Sequence, residues 1–203
     1  MAAKRRSEMM EETRAKLIAA GRKAFAEQGF AAASMDELTA GAGLTRGALY
    51  HNFGDKKGLL AAVVAQVDGE MAARAQAAAA DAGSLWEGLL AEGSAYINLA
   101  LDPEIQRIVL LDGPAFLGDP SQWPSQNACL AATRQKIGQL QAEGLLKPVD
   151  VEAAARLING AALNAALWVA ASDAPQTILP KAVAALTCLL SGFLAEGSGS
   201  EPE

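Results

Sequence analysis

Thr45, Arg46, Gly47, Ala48, Tyr50, His51 and Asn52 crowd into one short stretch, and Lys56 follows four residues on. Their types suit contact with a polyanion that also presents base edges. The Thr45 hydroxyl can cap a helix and donate to a phosphate oxygen. The planar fork of Arg46 matches the two acceptors of guanine, a pairing worth roughly 1–3 kcal/mol of discrimination; it can equally hold a phosphate or stay solvated. Gly47 and Ala48 are small enough for close backbone approach, and the Ala48 methyl could meet a thymine methyl. His51 has three readings: a base reader, a phosphate neighbour or an idle surface histidine. Lys56 suits the backbone on the flank.

The elements that would position these groups are legible on either side. Ser34 with Glu37 three residues later makes a capping box, and Met35 and Leu38 give that helix an inward face. The Ala-Gly-Ala-Gly run at 40–43 ends it, and Thr45 is a second cap. Leu49 and Phe53 lie four apart and share a face. Two short helices on a tight turn make a helix-turn-helix, whose second helix would enter a major groove. Upstream, Leu17, Ala20, Ala24 and Phe25 predict an amphipathic helix from about Glu11 to Gln28, closed by Gly29. Residues 1–10 read as a basic arm, either a solvated tail or a phosphate-tracking or minor-groove arm. Asp55 caps a long helix to about Ala80. Lys56 and Lys57 in its first turn oppose the helix dipole, which is easier to understand if they face a phosphate; the alternative is two solvated lysines.

The run from Leu44 to Phe53, followed by Asp55-Lys56-Lys57, resembles the signature of the TetR family of bacterial transcriptional regulators. The basic arm, the helix ending Ala26-Glu27-Gln28-Gly29-Phe30 and the Ser34 cap belong to the same resemblance, which covers roughly residues 12–64. Thr39, Ala48 and Asn52 stand where Ala, Thr and His are commoner in that family. The resemblance implies that Tyr50 holds a phosphate, and that Ser34, Ala48 and Asn52 belong to the DNA-contacting set. It also implies a dimer and an effector pocket in the body helices.

Beyond the head, the chain changes character after Asp81-Ala82-Gly83. Helices are expected at about 85–101, 103–111, 123–143, 151–171 and 177–195, the last one alternatively bent at Pro180. The stretch from Asp112 to Pro124 reads as loop or broken helix. Charge divides unevenly. Residues 1–60 carry ten Lys/Arg against seven Asp/Glu, and the remainder seven against sixteen, for −6 in all. A basic head on an acidic body suits a protein that meets DNA at one end only. No apolar run approaches the ~20 residues of a membrane span, and no apolar stretch follows Lys4-Arg5-Arg6 as in a secretory signal. Cys129 and Cys188 fit no zinc or redox spacing and are expected to be buried, reduced thiols. The one histidine excludes a multi-histidine metal site.

The body shows no nucleophile elbow, glycine-rich phosphate loop or acid–base set. It does place Trp86, Tyr96, Phe116, Trp123, Asn127, Asn159, Asn164 and Trp168 among apolar helices, a mix that suits either plain core or an apolar pocket with polar anchors. Arg107 and Arg134 are candidate anchors. The stripes Ala153, Leu157, Ala161, Asn164, Trp168 and Val183, Leu186, Leu189, Leu190, Phe193 suit an intersubunit four-helix bundle or intrachain core.

The reading is an all-α protein. Residues 1–60 form a three-helix helix-turn-helix DNA-binding domain. Residues 61–196 form a helical ligand-binding and dimerisation domain, and 197–203 a flexible tail. The expected function is a cytoplasmic, homodimeric, ligand-responsive regulator, a repressor on a pseudo-palindromic operator, released by a small, mostly apolar effector. No cofactor, metal or membrane partner is expected. The alternatives are an all-helical small-molecule-binding protein or enzyme with a vestigial helix-turn-helix, and a dimeric scaffold for a protein partner.

Overall fold

The computed structural model describes residues 2–195, with side chains at Arg5 and from Ser7 onward; the tail expected over 197–203 lies outside them. The chain is all-α and divides into two compact units. One joins Met1–Asp68 to Pro103–Pro120, and the other joins Gly69–Asp102 to Ser121–Glu203. The division falls inside helix α4 (Lys56–Ala78), and a later segment returns to the first unit.

The first unit opens with α1 (Ala2–Gln28), α2 (Met35–Gly41) and α3 (Arg46–Phe53). The helix expected from Glu11 in fact starts at Ala2, through the stretch read as an arm. No glycine or proline stands between Ala2 and Ala20, and Ala, Lys, Arg, Glu and Met all favour the helix, so nothing interrupts it. Leu17, Phe25, Leu38, Leu49, Leu59 and Leu60 are buried and form the core. Thr39 is buried too, and its hydroxyl donates back to the Met35 and Asp36 carbonyls (3.0 and 3.2 Å), so its polarity is satisfied within α2. Gly58 is required by close approach: a Cβ there would lie 1.9 Å from the Phe53 carbonyl oxygen.

The returning segment is α6 (Pro103–Ile105), a wide π-helical stretch (Gln106–Asp112) and α7 (Gly113–Leu117). Residues 112–117, which the sequence leaves as loop or broken helix, are helical. The wide stretch shifts the hydrogen-bond register just before Pro114, and the proline then stands in the first turn of α7, where its missing N–H costs nothing. Polar contacts fasten the segment to α1. Arg22 donates to both Glu104 oxygens at 2.7 Å, the Phe30 amide donates to Asp112 at 2.6 Å, and Arg107 donates to the Gln28 carbonyl at 3.4 Å. The Phe30 ring packs on Phe25 and Phe116, with centroids 5.6 and 4.5 Å away. Gly29 at φ +80° makes room for this contact, since a Cβ would fall 2.0 Å from Arg107 Nη2.

The second unit holds α5 (Leu85–Asn98), α8 (Pro124–Ala142), α9 (Val151–Ala171) and α10 (Pro175–Ser191). Helix α9 packs against α5, α8 and α10, and buries Ala154, Ile158, Ala162, Ala166 and Val169. Ser84 and Asp150 cap α5 and α9, accepting from the Glu87 and Ala153 amides at 3.2 and 2.8 Å. Helix α10 starts at Pro175 and continues through Pro180, so one helical N–H is absent but the helix does not end. Among the described residues the one β-type pairing is an isolated bridge between Leu146 and Leu194. Helix α9 is the one described helix long and apolar enough to cross a membrane by length and composition, yet it carries Glu152 and Arg156 and packs within its unit.

Candidate nucleic-acid interface and a buried cavity

Helix α3 is held by its caps and by one buried side chain. Thr45 has extended backbone and its Oγ1 accepts from the Ala48 amide at 3.3 Å. Leu49 is wholly buried. That single anchor turns Arg46, Gly47, Tyr50 and His51 to solvent together, while Ala48 and Asn52 are half-buried. Ser34 caps α2 through the Asp36 amide (3.3 Å) rather than the Glu37 amide that a capping box would use.

The Arg46 fork is engaged by Asp36. Its Nε and Nη2 donate to the two carboxylate oxygens, a bidentate pair across the turn. The guanidinium holds the Asp36 carboxyl below the ordinary carboxylate range, and the carboxylate raises Arg46 in return. Both groups are well exposed, so the pair orients Arg46 more than it stabilises the fold. Asn52 turns back on its own helix, its Nδ2 donating to the Ala48 carbonyl at 2.8 Å. Arg14 covers the outer edge of the helix, with its guanidinium 4.5 Å over the Phe53 ring and a bond to the Asn52 carbonyl at 3.2 Å. Lys56 sits 4.6 Å over the Phe30 ring and donates to the Ala31 carbonyl at 3.3 Å. Burial holds its pKa below the ordinary lysine value.

The second unit contains a partly open cavity of about 60 Å³. Leu89, Ile158, Leu186 and Leu190 supply apolar walls, and Ala72, Ala75, Gly93 and Ala162 leave the space. Glu92, Tyr96, Gln126, Cys129, Thr133 and Asn159 supply polar atoms. Glu92 is ion-paired with Lys136, whose pKa burial lowers. The Thr133 hydroxyl donates to Asn159 Oδ1 at 2.9 Å and to the Cys129 carbonyl at 3.0 Å.

Residues 17–63 match the family described as bacterial regulatory proteins, tetR family, and residues 86–193 match the tetracyclin repressor-like C-terminal domain. The chain belongs to the TetR family of transcriptional regulators. A solved TetR-family transcriptional regulator from Pectobacterium atrosepticum is 50% identical, covers 93% of this chain and 97% of its own, and superposes with a TM-score of 0.85. The HTH-type transcriptional repressor AcnR of Corynebacterium efficiens is 28% identical over 145 residues, 68% of this chain and 73% of its own length. The Transposon Tn10 TetC protein of Escherichia coli is 26% identical over 158 residues, 75% of this chain and 78% of its own length.

In this TetR-family chain the body residues singled out by sequence scatter. Tyr96 and Asn159 line the cavity, and Asn127 lines an outer cleft of about 250 Å³ between α8 and α9. Trp86 is half-buried at the start of α5, outside the cavity lining. Trp123 stands at the N-cap position of α8 without a side-chain capping bond, and its buried Nε1 has no hydrogen-bond partner. Phe116 belongs to the first unit, its ring tilted against Phe30. Asn164 and Trp168 face solvent on α9, as does Leu157, while Leu189 does so on α10. Leu186 and Leu190, read into the same stripe as Leu189, are core. Arg107 belongs to the first unit, and Arg134 pairs with Glu152 at 2.9 Å. Cys129 is half-buried and Cys188 exposed, on the outer side of α10, so the expectation of two buried thiols fails at Cys188. Glu92, Gln126 and Thr133 were missed. Gln126, Cys129 and Thr133 recur at helical spacing along α8, a polar stripe that aromatic residues elsewhere overshadowed.

Proposed function

We propose that this TetR-family regulator is a cytoplasmic, homodimeric repressor that binds a pseudo-palindromic operator and is released by a small effector held in the body cavity. The observation that carries the DNA reading is the face of α3, where one buried leucine presents Arg46, Gly47, Tyr50 and His51 side by side. Thr45, Tyr50 and Lys56 hold phosphates and set the register. Arg46 exchanges the Asp36 carboxylate for a guanine edge, and Gly47 and Ala48 let the helix approach. Ser34 and Asn52 support the contact through the caps and turns of α2 and α3. Resemblance to AcnR, a repressor by name, favours repression over activation.

One head reads only a few base pairs, so specificity requires two half-sites and a dimer. The exposed Leu157, Trp168 and Leu189 offer the surface for it. Effector binding shifts the population toward a state whose two heads no longer match successive major grooves. The effector does this only through its different affinity for the two states, and tenfold release needs about 1.4 kcal/mol of coupling. Helix α4, which contributes residues to both units, is the covalent route.

The test is selection of bound fragments from genomic DNA by the purified protein, followed by footprinting. The expected result is a protected site with two inverted half-sites one or two helical turns apart. A selection that returns no enriched sequence, at low salt as well as high, would sink the reading.

A further inference from the structure

The cavity and the outer cleft share two side chains. Gln126 and Asn159 line both, so these two carboxamides stand where the cavity adjoins a surface cleft between α8 and α9. The cavity of about 60 Å³ is by itself too small for a ring compound; an apolar cavity of about 150 Å³ accommodates benzene. With the cleft of about 250 Å³ joined to it, the space reaches the lower end, roughly 300 Å³, of ordinary small-ligand sites.

The polar atoms around the cavity define what it can receive. The Thr133 hydroxyl has one proton, which the Cys129 carbonyl and Asn159 Oδ1 compete for, so Asn159 Oδ1 keeps capacity for another donor. Glu92 adds carboxylate acceptors, and the carboxamides of Gln126 and Asn159 can donate in return. A hydroxyl both gives and takes a hydrogen bond and fits this set. No lysine or arginine lines the cavity, and the carboxylate that does already pairs with Lys136. An anion entering there meets a negative group, and the arginine on the cleft, Arg156, is already paired with Glu152 at 2.7 Å.

We infer that the effector is an uncharged, mostly apolar molecule carrying a hydroxyl, of which phenol is the simplest probe, and that it enters between α8 and α9 by displacing Gln126 and Asn159. This rests on the reading of the cavity as the effector site. Its apolar part fills the space against Ala72, Leu89 and Leu186, and its hydroxyl meets Asn159.

Cys129 lines the cavity and reports access to it once Cys188, the other cysteine, is replaced. In a Cys188→Ser protein, alkylation of Cys129 is followed with iodoacetamide and with iodoacetate, which are close in size and differ in charge. Each rate is divided by that of the urea-unfolded chain. Iodoacetamide should lead by roughly tenfold, because the reaction of a half-buried thiol follows its access. Gln126→Ala should speed labelling. Gly160→Phe should slow it, since Gly160 lines the cleft and its Cβ direction is open. Phenol should protect Cys129 and benzoate should not. Labelling rates indifferent to both substitutions would overturn the route. Protection by benzoate equal to that by phenol, or none by phenol, would overturn the ligand class. Protection by phenol without any change in DNA binding would sustain the site and remove its effector role, so the two readings fail separately.

Discussion

On the recognition face, Arg46, Gly47, Tyr50 and His51 are exposed and lie within two turns of one helix. In the cavity, Glu92, Tyr96, Thr133 and Asn159 come from three helices and point inward. The first arrangement needs only a cap, a buried leucine and a turn. The second exists only when α5, α8 and α9 are packed. Local chemistry therefore governs the DNA end, and tertiary packing governs the ligand end. Substitutions should sort accordingly.

The largest contrast comes from the anchor of the recognition helix. Leu49→Ala empties a fully buried site and should cost about 2–5 kcal/mol. Urea denaturation followed by tryptophan fluorescence tests whether the loss stays local: all three tryptophans lie in the second unit, so their transition should move less than that of DNA binding. Equal shifts would mean that the two units unfold as one.

Next is the exposed surface of α9. Leu157→Asp should leave the monomer's fold intact, because Leu157 is 65% exposed, yet weaken self-association by roughly 2 kcal/mol or more. Sedimentation velocity across a concentration series decides it, and an unchanged association constant would remove α9 from the dimer interface.

A smaller effect is expected beside the cavity. Glu92→Gln leaves Lys136 partly buried without its counter-charge, and should destabilise by roughly 1–3 kcal/mol, less than for a fully buried pair. The pH dependence has a definite sign. Lys136 binds its proton less tightly in the folded chain than the ordinary 10.5 of an unfolded lysine. Between the two values the unfolded chain holds more protons, so stability rises with pH there. The penalty of Glu92→Gln should shrink as urea midpoints are followed upward from neutral pH, and a penalty that grows would contradict the assignment.

The smallest expected effect is at the cap. Thr45→Ala removes the acceptor for the Ala48 amide and should cost about 1 kcal/mol of stability, with a further loss of DNA affinity if the hydroxyl also meets a phosphate.

The same contrast explains what the sequence could reveal. The capped helices at 46–53, 85–98 and 151–171 were legible because caps and periodicity act over a few residues. The start of α1 at Ala2 was missed because a basic composition suggested an arm, although nothing in it breaks a helix. Residues 112–117 stay open between loop and broken helix because Pro114 counts as a breaker, and only the wide turn before it shows how the helix accommodates it. Membership of 103–120 in the first unit depends on Glu104, Asp112 and Phe116 meeting Arg22 and Phe30, contacts some 80 residues apart that no local pattern encodes. Aromatic residues drew attention in the body, yet Trp168 and Phe116 lie away from the cavity, while the modest stripe Gln126, Cys129, Thr133 lines it.

The central claim is that α3 reads sequence while its flanks hold the backbone. Fluorescence anisotropy on the selected operator and on scrambled DNA, across a salt series, tests it with wild type, Arg46→Ala and Lys56→Ala. Arg46→Ala should narrow the gap between the two DNAs by about 1–3 kcal/mol. Lys56→Ala should weaken both alike and flatten the salt slope by about one unit. Equal losses on both DNAs from Arg46→Ala, with an unchanged salt slope for Lys56→Ala, would contradict the account.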